Sequence, residues 1–143
     1  KELERHPFAE ALFREALRLY PPVGFISRRV ITPMRVGSYD APAGQTLGVP
    51  VCLFGRDAAL YSNPEAFEPQ RWMARKTPIS PIETAAFGGG PHFCLGYHFA
   101  WLEVVQFAVA FARTLHARGV RPRAPRSAKR SCAAAATSAA AMS

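Results

Sequence analysis

Apolar residues recur at helical spacing near the start of the chain. Phe8, Ala11, Leu12, Ala16 and Leu19 fall on one side, with Glu15 among them. The pattern predicts a helix over Leu3–Tyr20. Pro21 and Pro22 end it, because proline donates no backbone N–H and disfavours helical geometry in its predecessor. From residue 23 to 52 the chemistry changes to Val23, Phe25, Ile26, Val30, Ile31, Val36, Leu47, Val49 and Val51. Pro33, Gly37, Pro42, Gly44 and Pro50 interrupt the run, which predicts short strands and hairpins. Residues 53–86 are rich in Pro, Asn and Ser. They read as a packed irregular segment with one or two helical turns, anchored by Phe67 and Trp72. A second helix is predicted over Leu95–Leu115. It is apolar nearly all round, which calls for burial in a larger body than this chain supplies. His98, Glu103 and Gln106 within it argue against a membrane span.

Composition narrows the class. With 49% hydrophobic residues in 143, the chain suits a folded body and not a disordered one. The net charge of +8 is unevenly spread. Residues 1–117 hold twelve Lys/Arg against ten Asp/Glu, whereas residues 118–143 hold six against none. Two parts follow: a domain over 1–117 and a basic, Ala-rich tail over 118–143, expected to be disordered. Such a tail can bind nucleic acid or an anionic membrane, but a solvated tail without a partner is the preferred reading. Cys52, Cys94 and Cys132 are odd in number and not in CxxC spacing, so neither a disulfide framework nor a zinc ribbon is expected. With no secretory pattern, a cytoplasmic setting is the default. The chain opens at Lys1 in what reads as charged helix, so a fragment is expected.

The segment Phe87–Gly96, FGGGPHFCLG, carries the chemistry. A cysteine ligates metal as a thiolate, whereas a free thiol titrates near about 8.5. The start of a helix directly after Cys94 favours the anion through its N–H groups and dipole. Gly88, Gly89 and Gly90 let the backbone turn tightly and lie flat against a planar ring. Gly96 lets the helix begin close beneath, and Phe87 is placed to shield the sulfur. A lone cysteine after a flexible loop would be read as structural; the ten-residue pattern is more specific. A zinc set of His92, Cys94 and His98 is the alternative, but it lacks a fourth ligand and leaves the glycines unexplained.

The segment resembles the haem-binding signature of the cytochrome P-450 family, with Phe87, Gly90, His92, Cys94 and Gly96 in order. The resemblance implies Cys94 as catalytic and iron-ligating residue. It also implies haem b (iron protoporphyrin IX), held by Cys94, His92, Arg28, Phe87, Gly88, Gly90 and Gly96. His92 stands where the family more often has Arg and would donate to a haem propionate, a contact open to titration. Arg28 would meet a propionate too, with Arg29 an even choice between that role and a solubilising one. Val23–Ile26 would line the substrate side.

Two further motifs belong to the same resemblance. Glu15 and Arg18, three apart on a helix, form an ordinary surface pair if isolated. In the family, Glu-x-x-Arg before a Pro-Pro stop is buried and joined by an Arg from a Phe-x-Pro-x-Arg-Phe stretch. FEPQRW, Phe67–Trp72, supplies Arg71, with Trp72 in place of Phe. Glu15, Arg18 and Arg71 are thus expected to form a structural set. Arg56–Asp57 resembles a His-Arg-Asp-Pro stretch in which Gly55 and Ala58 replace His and Pro.

The implied fold is mainly α with small β-sheets, the C-terminal haem-binding portion of the cytochrome P-450 fold. The implied activity is insertion of one atom of O₂ into an organic substrate, with the thiolate assisting O–O cleavage. Implied partners are an electron donor (ferredoxin, flavodoxin or reductase) and a small organic substrate, with no nucleic acid and no membrane segment in this chain. Arg75, Lys76 and Arg113 are candidates for steering an acidic donor. The family's oxygen-activating helix lies upstream of these residues, so the chain alone is expected to be inactive. A frameshift or truncation near Arg118–Arg123 is the hypothesis for the tail. The rivals are an inactive remnant unable to hold haem, a haem-thiolate peroxygenase or isomerase, and a nucleic-acid binder through Arg118–Arg130.

Overall fold

A computed structural model of the chain describes residues 6–75 and 85–121. The expected tail from 122 onward, Lys76 and the predicted helical start at Leu3 lie outside these residues. Helix α1 runs Pro7–Leu19, with Pro7 in the first turn, where its missing N–H leaves no bond unmade. Tyr20 closes it, its N–H donating to the Ala16 carbonyl at 2.8 Å, and Pro21 prevents another turn.

Four short strands follow as one hairpin inside another. Strands β2 (Met34–Val36) and β3 (Tyr39–Ala41) pair antiparallel around a turn where Gly37 has φ +60°. Strands β1 (Ile26–Arg29) and β4 (Thr46–Val49) pair outside them, Ile26 opposite Val49 and Arg29 opposite Thr46. Pro50 ends β4, and Val51–Phe54 forms a single helical turn, α2. Val51, expected in a strand, is therefore helical and buried. Cys52 beside it is buried.

Beyond α2, the described residues of the irregular segment contain one helical turn, α3 (Gln70–Met73). Trp72 is buried there, but Phe67 is half exposed and does not act as an anchor. After a 3₁₀ turn at Gly90–His92, helix α4 runs Tyr97–Ala117.

Helix α1 is the beam of the structure and has two working faces. Ala9, Phe13 and Leu17, four apart, pack on Trp101 and Val105 of α4. Ala11, Glu15 and Arg18 face the segment 55–72, where Ala11 packs with Tyr61 and Trp72. The expected apolar stripe through Phe8 is corrected: Phe8 is half exposed. The reason is that a second buried face carries charge, which an apolar periodicity does not register. On α4, only Trp101 and Val105 are buried; Leu95 before it and Phe99, Phe107 and Phe111 along it are exposed.

Candidate functional site

Glu15 and Arg18 have side chains with no solvent exposure. Burial of unpaired charge is costly, so every donor and acceptor must be accounted for. Arg18 grips the carboxylate in bidentate fashion, Nε to Oε2 at 2.9 Å and Nη2 to Oε1 at 2.8 Å. Its other N–H groups donate to the carbonyls of Gly55 (2.5 Å), Pro64 (2.5 Å) and Ala66 (2.8 Å). All five guanidinium donors are therefore used. Glu15 accepts three further bonds. The Glu68 N–H reaches Oε1 at 2.7 Å, Arg71 Nε reaches Oε1 at 3.1 Å, and the Trp72 indole N–H reaches Oε2 at 2.8 Å.

Arg71 is anchored in turn by the carbonyls of Ser62 and Asn63 and by Glu68 Oε2 at 3.2 Å. The structure thus brings Glu15, Arg18 and Arg71 together. It adds Glu68 as a fourth charge, which leaves the cluster neutral. Beside it, Arg56 pairs with Glu65 and donates to the Leu19 carbonyl at 2.9 Å, tying the segment to the end of α1.

Burial alone would raise the Glu15 pKa, but hydrogen bonds from Arg18, the Glu68 backbone and Trp72 outweigh it. They lower the pKa from 4.5 to about 2. The unfolded chain takes up this proton near pH 4.5 and the folded chain only near pH 2, so acid favours unfolding. The contribution, about 3 kcal/mol, is full above about pH 4.5 and is lost as pH falls toward 2. Urea midpoints measured between pH 5 and pH 2.5 should fall steeply. In Glu15→Gln, which has no such proton to take up, the pH dependence should be shallower.

The opposite face of α1 holds the cysteine loop. Phe13 lies edge-on to Trp101 (5.0 Å between ring centres) and Phe87 (6.4 Å). Phe87 meets Tyr97 at 4.9 Å, also edge-on. The Cys94 N–H donates to the Phe87 carbonyl at 2.9 Å, so Phe87 holds the loop shut while its ring roots it in the core. The turn itself depends on Gly88 (φ +72°) and Gly90 (φ +57°). A Cβ on Gly88 would sit 3.0 Å from the His92 carbonyl oxygen. Gly88→Ala should therefore destabilise the loop by about 1–2 kcal/mol, read from thermal unfolding. A Cβ on Gly90 meets nothing, so Gly90→Ala tests the backbone effect without the clash.

Cys94 is exposed and free, directly before α4. Gly89, Gly90 and His92 beside it are exposed, as are Phe93 and Leu95. Arg28 and Arg29 stand exposed on β1, Arg28 donating to the Ser27 carbonyl. Among the described residues no three His, Cys, Asp or Glu side chains are grouped to hold a metal ion, and the set His92, Cys94 and His98 is not brought together. Nor is any described helix long and apolar enough to cross a membrane.

The family model for cytochrome P-450 matches residues 1–118. The chain belongs to the cytochrome P-450 family. It is 46% identical over 122 residues to cytochrome P-450 BJ-4 of Bradyrhizobium diazoefficiens, covering 85% of this chain and 27% of that protein. The BJ-4 homolog of Sinorhizobium fredii is equally similar, 46% over 121 residues with the same coverage. A cyanobacterial cytochrome P-450 solved with retinoic acid bound superposes with a TM-score of 0.71 at 33% identity. That match covers 78% of this chain and 26% of the other. The chain therefore spans about a quarter of the length of these relatives. The architecture described above is a portion of the cytochrome P-450 fold, mainly helical with small sheets.

Membership of the cytochrome P-450 family implies a haem cofactor, and the residues present suit one. The thiol opens to solvent at a loop whose glycine flank is bare backbone, with open space where side chains at Gly89 and Gly90 would stand. Exposed Phe93 and Leu95 border it with apolar surface. A flat apolar ring bound through sulfur needs this combination.

At Gly55 a Cβ would lie 2.0 Å from the Arg18 carbonyl oxygen, so the backbone here admits no side chain without shifting. The sequence reading missed the donor role of Trp72 and the carbonyls of Gly55, Pro64 and Ala66. Trp72 in place of Phe was the available signal for the first; backbone acceptors leave none.

Proposed function

We propose that the whole protein is a haem-dependent monooxygenase and that Cys94 is its thiolate ligand to iron. The observation that carries the reading is the free, exposed Cys94 at the mouth of a glycine-hinged loop, in a chain of this family. The start of α4 favours the anionic sulfur through its unpaired N–H groups and its dipole. The Phe87–Cys94 backbone bond fixes the backbone from which the thiol projects. Haem b is the form proposed, with His92 and Arg28 as donors to its propionates and Phe87, Gly88, Gly90 and Gly96 shaping the seat. When bound, the group supplies two-electron activation of O₂ and transfer of one oxygen atom to an organic substrate.

The chain's own share is to ligate, orient and exclude water. A ferredoxin, flavodoxin or reductase would deliver electrons, with Arg75 and Arg113 steering an acidic surface toward the loop. Residence in the bacterial cytoplasm belongs to the same proposal and rests on likeness to the rhizobial relatives. The test is reconstitution with haem followed by the absorbance of the reduced, CO-bound form. A thiolate-haem band is expected. In the full-length protein, no uptake, or a band of imidazole-ligated haem, would overturn the reading.

A further inference from the structure

We propose that the indole N–H of Trp72 is a positioning group for the Glu15 carboxylate and, through α1, for the loop that presents Cys94. A carboxylate's terminal torsion is broad and two-fold, so its orientation is set by the donors that meet it. Glu15 Oε1 has three: Arg18 Nη2, the Glu68 N–H and Arg71 Nε. Oε2 has two, Arg18 Nε and Trp72 Nε1 at 2.8 Å. The Trp72 donor comes from α3, 57 residues along the chain, and removes the remaining freedom of Oε2 to swing about the Arg18 contact. Phenylalanine, the residue of the related stretch, fills similar space and donates nothing.

The consequence travels along α1. On the opposite face of α1, two residues before Glu15, Phe13 packs against Trp101 and Phe87, and the Phe87 carbonyl holds the Cys94 N–H. A carboxylate pinned on both oxygens fixes the rotation of α1 about its axis, and with it the seat of Phe87. The effect on haem rests on the proposed ligation by Cys94. The placement of the carboxylate does not.

The experiment replaces Trp72 in the full chain by benzothienylalanine, which keeps the ring shape and puts sulfur in place of the N–H. Carbon-13 NMR of labelled Glu side chains then follows the Glu15 carboxyl through an acid titration. Its midpoint should rise by about one to two in pH, as expected on losing one charge-assisted bond. Trp72→Phe should give a similar rise. An unchanged midpoint in both overturns the proposal. Should the substituted chains not fold, the unsubstituted chain decides. Its Trp72 indole proton should lie downfield of free indole and exchange with deuterium at least about tenfold more slowly; exchange at the free-indole rate overturns the proposal. Haem uptake is scored separately. A shifted Glu15 titration with no thiolate-haem band in any chain would sink the proposed function and leave this inference standing.

Discussion

Glu15→Ala is expected to lower folding stability by about 3–5 kcal/mol, much of what a single domain possesses. The loss is large because of what the truncation leaves behind. Arg18 would remain buried with two of its donors facing no acceptor, and Arg71, the Glu68 N–H and the Trp72 indole would each lose a partner. The matched control is Glu10→Ala. Glu10 also pairs with an arginine on the same helix, Arg14 at 2.7 Å, but both side chains are partly exposed. Water replaces that bond, so the control should cost under about 1 kcal/mol. Urea unfolding followed by circular dichroism compares the two. If Glu15→Ala moved the midpoint no further than Glu10→Ala, the buried cluster would not be what joins α1 to residues 55–72.

Cys94→Ala is expected to do the reverse: abolish the thiolate-haem band and leave the fold alone. The side chain is exposed, so its removal should change stability by less than about 0.5 kcal/mol. Loss of the iron ligand, by contrast, removes the bond on which the proposed cofactor chemistry depends. The paired measurement is the reduced, CO-bound absorbance beside the far-ultraviolet circular dichroism. A spectrum and retention unaltered by the substitution would mean that another group holds the pigment. The two substitutions separate the scaffold from the chemistry. Glu15 and Arg18 act at a distance by rigidity, and Cys94 acts by contact.

Much of this arrangement was legible in the sequence, for definite reasons. Proline has no N–H wherever it stands, so Pro21, Pro22 and Pro50 mark the ends of α1 and β4 without reference to tertiary structure. The spacing of Glu15 and Arg18 places them on one face of any helix, and the aromatic-proline-arginine stretch supplies Arg71. Their burial came only from the family resemblance, since spacing alone does not give it. An i,i+3 pair looks the same in sequence whether water or protein surrounds it. Here the surroundings are the carbonyls of Gly55, Pro64 and Ala66, a chemical group that every residue carries. The apolar stripe was drawn through Phe8 instead of Phe13, because apolar periodicity does not register a buried face that carries charge. Phe67 failed as an anchor because an aromatic residue in a loop reports the capacity to be buried and not its direction.

Dissolved ions weaken electrostatic attraction mainly where solvent can stand beside the charges. The Arg35–Asp40 pair on the inner hairpin lies in that zone, whereas Glu15, Arg18 and Arg71 are largely walled off from it, with Glu68 half exposed at their edge. In strong brine the hairpin would lose its ionic tie, while the joint that seats α1 would hold much as it does in dilute buffer.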